Sequence, residues 1–218
     1  MLKDAAPHPT ILDVGCGPGA QTLDLCVLTD GDIVAVDKHL PYLEALNRRI
    51  CQRNLDNRIR LVHGDMFNLG FKEKSFDIIW SEGAIYIIGF ENGLVAWRPL
   101  LRKPGYIVVS ELTWLKPRPP SEVGSFWNRE YPAMKDIARN LEILKEAGYS
   151  KVGHFMLPES AWWSSYYRPI EKKLIILRQE HQDDETALAI LEKEAREIEL
   201  FRKYSQYYGY VFYVGQSK

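Results

Sequence analysis

The stretch ILDVGCGPGA, residues 11–20, sets a short apolar run directly against a loop carrying Gly15, Gly17 and Gly19. Such a run, bounded by glycines, is the pattern of a buried strand that turns into a helix. Gly15, Gly17 and Ala20 also satisfy the G-x-G-x-x-G/A spacing with which strand–turn–helix units bind dinucleotides. Asp13 stands just upstream. A carboxylate beside a phosphate-binding turn repels a pyrophosphate and favours a cation. The glycines and the acid therefore point to different ligands.

Outward from this loop, apolar β-branched runs alternate with helical patterns, which predicts an α/β fold with a mostly parallel sheet. The expected strands are TILDVG, DIVAVD, IRLVHG, FDIIWS and YIVVSEL. One helix is expected over GAQTLDLCVL with Leu23 and Val27 facing inward, and a second from Pro41 with Leu43, Leu46 and Ile50 on one face. A third covers GLVAWRPLLRKPG and stops near Pro104. A fourth runs from Pro132 through Met134, Ile137, Leu141 and Leu144 to Gly148. The Pro-rich LKPRPPSEVG reads as a loop or lid. Two more strands, in YSKVGHFMLP and YYGYVFYVGQ, bracket two amphipathic helices, the second capped by Asp183 or Asp184. The expected organisation is a single domain over residues 1–218, with a core at about 9–157 and 206–215 and a helical insertion at about 158–205.

Composition narrows the partners. A chain of 218 residues that is 46% hydrophobic has material for one core, burying on the order of 70% of its unfolded surface. Its 28 Lys and Arg against 29 Asp and Glu give a net charge of −1, so no cationic field favours nucleic acid or an anionic membrane. Cys16, Cys26 and Cys51 are odd in number and lack CxxC spacing, which argues against a disulfide framework and a zinc site. The opening MLKDAAPHPT has no apolar leader core, and no run approaches the ~18 apolar residues of a membrane span. A cytoplasmic protein with a small-molecule partner is expected. HQDDE near residue 181 reads as a helix N-terminus rather than a metal site, and no metal is expected. His63 and His154 read as structural histidines, and KEAREIE as a solvated helix face.

Ligands of open parallel sheets bind beyond the carboxyl ends of the strands. Those ends carry Asp13 and the glycine loop, Asp37, Gly64 with Asp65, Ser81 with Glu82, and Glu111. Any one acid alone is explained by a helix cap or a solvated loop. Five at successive strand ends describe a site. Asp37, 22 residues beyond Gly15, stands where a carboxylate accepts from a ribose hydroxyl pair, in NAD or in S-adenosylmethionine. Asp65 can accept from an adenine amino group, with Met66 as an apolar wall. S-adenosylmethionine carries a sulfonium and an ammonium and no phosphate, so an acidic rim stabilises it where it would disfavour a pyrophosphate.

LDVGCGPG, the acid ending IVAVD, HGDMF, FDIIWSEGAIY and PGYIVVSE together resemble the successive motifs of class I S-adenosylmethionine-dependent methyltransferases, across roughly residues 10–214. WSEGAIYIIGF and the aromatic C-terminus look like a small bacterial and archaeal group near the ubiquinone-biosynthesis type. The resemblance implies a Rossmann-like seven-stranded sheet, mostly parallel with an antiparallel last strand, helices on both faces, and a helical insertion between strands 6 and 7. It implies a site in which Asp13, Gly15, Cys16, Gly17 and Gly19 surround the methionine part of the cofactor. Asp37 with Lys38 would hold the ribose, Gly64, Asp65 and Met66 the adenine, and Ser81 would close the rim. Relatives usually carry helices ahead of the first strand as a lid, and here about ten residues precede it. The lid is then expected from elsewhere, such as the insertion or a partner chain, unless the chain starts late.

Methyl transfer is an in-line displacement, so catalysis rests largely on holding a nucleophile ~3 to 3.5 Å from the methyl group in a dry site. Glu82 and Tyr86 are the candidate catalytic pair, and Glu111 with Trp114 the candidate substrate contacts. Two acids with Tyr86 and Trp114 would suit an amine or another cation. The aromatic run SAWWSSYY either walls the substrate, packs the insertion, or forms the surface of a homodimer. A cofactor-binding protein without turnover is the alternative to a methyltransferase; an NAD-dependent oxidoreductase ranks third.

Overall fold

The computed structural model describes residues 6–217. Residues 1–5, part of the short lead-in noted above, lie outside the described residues. In chain order the first elements are β1 (Thr10–Val14), α1 (Ala20–Leu28), β2 (Asp32–Asp37), α2 (Leu40–Arg53), β3 (Ile59–His63), β4 (Phe76–Ser81), α3 (Phe90–Trp97) and β5 (Leu101–Trp114). There follow α4 (Ser121–Glu130), β6 (Lys135–Asp136), α5 (Ile137–Glu146), β7 (Tyr149–Met156), α6 (Glu159–Trp162), α7 (Arg168–Glu180), α8 (Glu185–Tyr204) and β8 (Tyr208–Ser217). Strand order is β3-β2-β1-β4-β5-β8-β7, with the two-residue β6 paired to β5 off this path. β1 to β5 are parallel and the last strands antiparallel, with helices on both sides, as the α/β reading expects. Order reverses at β1, whose neighbours are β2 and β4. That crevice is where a parallel sheet receives its ligand.

The chain divides into two compact units. The first takes in the chain up to Glu111, Ala138–Phe155 and the stretch from Val211. Its centre is the run of β1 and β4 residues Ile11, Leu12 and Ile79, none of which reaches solvent. Across α1 the buried residues are Thr22, Leu23, Leu25 and Cys26, whereas Val27 is 78% exposed, against the expectation. Apolar residues at 23 and at 25–28 surround so short a helix that spacing does not choose its face. Leu43, Leu46 and Ile50 are the buried face of α2, as read.

The second unit comprises Leu112–Ile137 and Met156–Tyr210. Trp162 forms its centre, stacked on Phe201 at 4.6 Å, Tyr210 at 5.0 Å and Tyr167 at 5.3 Å between ring centroids. Trp162 and Tyr167 are thereby buried in packing, while Tyr166 remains 46% exposed. α8 starts at Asp184, whose carboxylate accepts from the Thr186 and Ala187 amides at 3.0 Å each.

Three boundaries differ from expectation. α3 ends at Trp97 rather than near Pro104, because Pro99 has no N–H for a further helical turn. Arg98–Leu100 tighten into one 3₁₀ turn and β5 begins at Leu101, with Pro104 in a slip of register against β4. The Pro-rich stretch is a loop only to Pro120, and α4 takes Ser121–Glu130, since prolines ahead of a helix start it as readily as they end one. The following helix begins at Ile137 rather than Pro132, because Lys135 and Asp136 pair with Thr113 and Trp114 of β5.

Gly19 has φ +83°, and a Cβ there would lie 2.1 Å from Cδ1 of the fully buried Leu46. Gly19→Ala is expected to destabilise the protein by about 2–4 kcal/mol, from left-handed strain plus overpacking. The midpoint of urea unfolding measures it; an unchanged midpoint would show that the loop is not seated against α2.

Candidate active site

The glycine loop is tied to the neighbouring strand by its own amides. Gly15 and Cys16 both donate to the Val36 carbonyl, at 2.9 and 3.0 Å, and Gly17 donates to Oδ2 of Asp37 at 2.8 Å. The second Asp37 oxygen accepts from the His39 amide at 2.8 Å. Asp37 thus fixes the turn after β1 and the entry to α2 together. Arg49 of α2 reaches back to the Pro18 carbonyl at 2.9 Å, and Gly19 closes the loop on Cys16 at 3.0 Å. Gly15 (φ +73°) has no room for a side chain, since a Cβ would sit 2.4 Å from that of Ala84. At Gly17 (φ +53°) a Cβ would meet nothing within 4 Å. The loop is closed below and open at Gly17, a bare backbone that a ligand can approach.

Asp13 is 2% exposed, and Oδ2 accepts from the hydroxyl of buried Thr22 at 2.6 Å. Burial pushes its carboxyl up to about 7; the Thr22 hydrogen bond opposes this, and the negative charges of Glu82 and Asp37 add to it. Glu82, just beyond β4, is itself raised, chiefly by burial, while Gln21 of α1 favours its charged form and Asp24 opposes it. The buried Cys16 thiol is pushed up by the same burial and by Asp13 and Asp37, so it remains neutral.

The β3 end carries a compensated acid. Asp65 accepts from Lys38 Nζ at 2.7 Å and from the Phe67 amide at 3.1 Å, which hold its carboxyl below the usual range. Gly64 donates to the Asp37 carbonyl at 3.1 Å, and the Met66 carbonyl accepts from the Trp97 indole at 3.1 Å. Ser81 is fully buried, with its hydroxyl donating to the Val14 carbonyl at 2.9 Å, so it fastens β4 to β1. Tyr86 lies in a 3₁₀ turn (Ile85–Ile87) and is 46% exposed. Glu111 is buried within β5, which continues to Trp114, rather than at its end. Trp114 belongs to the second unit, where it packs on Tyr208 at 6.2 Å.

The structure thus brings together the glycine loop, Asp13, Asp37, Lys38, Gly64, Asp65, Met66 and Glu82. Sequence reading missed Thr22, Arg49 and the Val36 carbonyl, which hold that set in position through hydrogen bonds. Thr22 is the one with a signal, a polar residue on the inner face of an apolar helix. Among the described residues no group of three or more His, Cys, Asp and Glu could hold a metal, and no helix is long and apolar enough to cross a membrane.

Residues 11–105 match the family model described as a methyltransferase domain. That segment runs from β1 into β5 and carries the whole glycine loop and the acids through Glu82. The chain is also 32% identical over 95 residues to sterol 24-C-methyltransferase of Debaryomyces hansenii, covering 44% of this chain and 25% of that protein. It is 32% identical over 118 residues to demethylmenaquinone methyltransferase of Porphyromonas gingivalis, covering 52% and 47%. The chain therefore spans a quarter to about half of these relatives. In fold it resembles a Geobacter sulfurreducens S-adenosylmethionine-dependent methyltransferase in complex with S-adenosylhomocysteine. The TM-score is 0.81 at 18% identity, over 97% of this chain and 86% of that one.

A buried carboxyl raised in the folded state binds a proton that the unfolded chain has released. Asp13 therefore lowers stability progressively as pH rises from about 4 to about 7, by up to about 4 kcal/mol. Asp13→Asn, whose amide oxygen can still accept from Thr22, is expected to raise the melting temperature at pH 8 and leave it nearly unchanged at pH 4. Equal shifts at both values would contradict the burial argument.

Proposed function

We propose that the protein is an S-adenosylmethionine-dependent methyltransferase acting on a small-molecule acceptor. The observation that carries this is the open, carboxylate-rimmed glycine loop at the β1 crossover, within the segment that matches the methyltransferase domain. The donor set fits the cofactor: a backbone with free space at Gly17, acids at the β1, β2 and β4 ends, and the polar Asp65 next to the apolar Met66 after β3. A dinucleotide fits less well, because its pyrophosphate would meet the acids Asp37 and Glu82 at the β2 and β4 ends.

In this reading Asp37 accepts from the ribose hydroxyls while it holds Gly17 in place. Lys38 and Asp65 frame the adenine, and Met66 packs on it. When bound, the cofactor supplies an electrophilic methyl group on a sulfonium. The residues that would orient an acceptor toward it are Glu82 and Tyr86, beyond β4. Raised by burial, Glu82 is suited to take a proton from an acceptor that loses one on methylation. The acceptor named by the sterol and menaquinone relatives, an apolar ring or chain, marks the class to test first.

Incubation with methyl-labelled cofactor and a panel of sterols, quinols, prenyl compounds and amines tests the reading, which requires label in at least one acceptor. Binding of the cofactor with no transfer to any acceptor or cell extract would favour a binding protein instead. Asp37→Ala is expected to weaken cofactor binding by about 1–3 kcal/mol, from stranded hydrogen-bonding groups. Glu82→Gln should lower turnover by about 10²-fold with a smaller change in cofactor affinity. The reverse pattern would make Glu82 a cofactor residue.

A further inference from the structure

Independently of the cofactor assignment, we propose that the outward face of α7 is a self-complementary surface on which a second copy of this chain docks. The two α7 helices run antiparallel and cross at Ile175 and Ile176.

α7 completes its inward apolar stripe without these two residues. Leu174 is buried, and Ile170 and Leu177 pack against the aromatic core of the second unit. Ile175 and Ile176, in contrast, are 63% and 55% exposed. β-branched residues are mediocre helix formers, and a solvated helix face gives them nothing in return. At about 3.6 residues per turn, Arg168, Lys172 and Gln179 share the face of the two isoleucines, with Lys173 and Glu180 on one flank; all five are exposed. The aromatic run ahead of α7 does not offer the same surface, since Trp162 and Tyr167 are buried in their own unit.

The charges around this face fall into two groups. Those turned toward the neighbouring helix are paired within the chain: Glu171 accepts from Arg202 at 2.6 Å, and Arg178 donates to Glu192 at 2.9 Å. Among the described residues, Arg168, Lys172, Lys173, Glu180 and Asp183 form no ion pair. These five are also segregated by sign. Arg168 stands seven residues before Ile175 and Asp183 seven after Ile176, while Lys172 stands three before and Glu180 four after. A two-fold axis through the isoleucines therefore lays the cations of one helix along the acids of the other, at both ends at once, and closes isoleucine on isoleucine between them. Parallel pairing would set cation against cation. An anionic bilayer is the poorer occupant, because Glu180, Asp183, Asp184 and Glu185 at the tip of the hairpin would be pressed against like charge. A helix of 13 residues is about 20 Å long, a contact at the small end of specific interfaces, so the dimer is weak and depends on concentration.

Sedimentation velocity of the full chain from about 1 µM to 1 mM, the range of weak complexes, reads the association. Wild type is expected to pass from monomer to dimer across that range, and several-fold less readily at high salt. Ile176→Asp should weaken dimerisation at least tenfold. The deciding experiment is a charge exchange between two variants, Lys172→Glu with Lys173→Glu in one chain and Glu180→Lys in the other. Each alone places like charges across the two-fold axis and should remain monomeric, whereas an equimolar mixture should associate, because both ends of the mixed pair are again opposite in sign. All substituted side chains are exposed, and an unchanged melting temperature of each variant verifies the fold. A wild-type chain that stays monomeric throughout, a dimer that survives Ile176→Asp, or a mixture that associates no better than its parts would each overturn the proposal. So would a monomer that binds vesicles of phosphatidylserine through this face, which would assign it to a membrane surface instead.

Discussion

The bond from the Gly17 amide to the Asp37 carboxylate governs the site, because it decides where the loop after β1 stands relative to β2. Gly15 and Cys16 add two amides on the Val36 carbonyl, so three successive contacts sew one strand end to the next. That closeness is possible only without side chains at Gly15 and Gly19, where Ala84 and Leu46 occupy the space. Packing of α2 against the loop, through Leu46 and Arg49, then fixes the loop from the other side. What remains open is the space beside Gly17, where a Cβ would meet nothing within 4 Å. The fold reaches its binding surface by subtraction.

Electrostatics separates the acids of this chain into two kinds. Asp65 is paired with Lys38. Glu122, in the second unit, accepts from Arg196 at 2.5 Å, Lys203 at 2.7 Å and Tyr204, and is held down at about 2. These exposed clusters contribute little individually in solvent and serve to order the surface. Asp13 and Glu82 are raised by burial instead, with further acids as neighbours. Uncompensated charge of that kind costs stability, and a cationic ligand is the natural recipient of the difference. Glu197, in the second unit, also stands at about 7, raised by burial against the opposing hydrogen bond from the Tyr167 hydroxyl, so a raised carboxyl alone does not identify a site. Convergence on an open loop does.

Much of this was legible in the sequence. The five parallel strands each contain a short β-branched run, fully legible in β1, β2 and β4, though β3 is only partly buried and β5 extends to fourteen residues, and the glycine spacing marks the crossover between β1 and β2. Asp37 and Asp65 were readable because each ends a strand or follows it at a distance set by the βαβ unit. Side-chain direction was not readable. Nothing in the residue order says that Ser81 turns inward to the Val14 carbonyl, or that Asp13 points to Thr22 beneath the loop. The missed boundaries lie where proline has two meanings: Pro99 ends a helix early and Pro120 precedes one. The joining of Leu112–Ile137 with Met156–Tyr210 in one unit arises from aromatic contacts distant in sequence, such as Trp127 with Tyr208 at 5.3 Å.

The central claim is that a carboxylate-rimmed glycine loop selects a sulfonium-bearing nucleoside over a pyrophosphate-bearing one. Isothermal titration of the wild-type protein with S-adenosylmethionine and with NAD, under the same low-salt buffer, measures that choice directly. The account predicts saturable binding of S-adenosylmethionine at one site per chain and no measurable heat with NAD. Saturable binding of NAD, with none of the methyl donor, would contradict it.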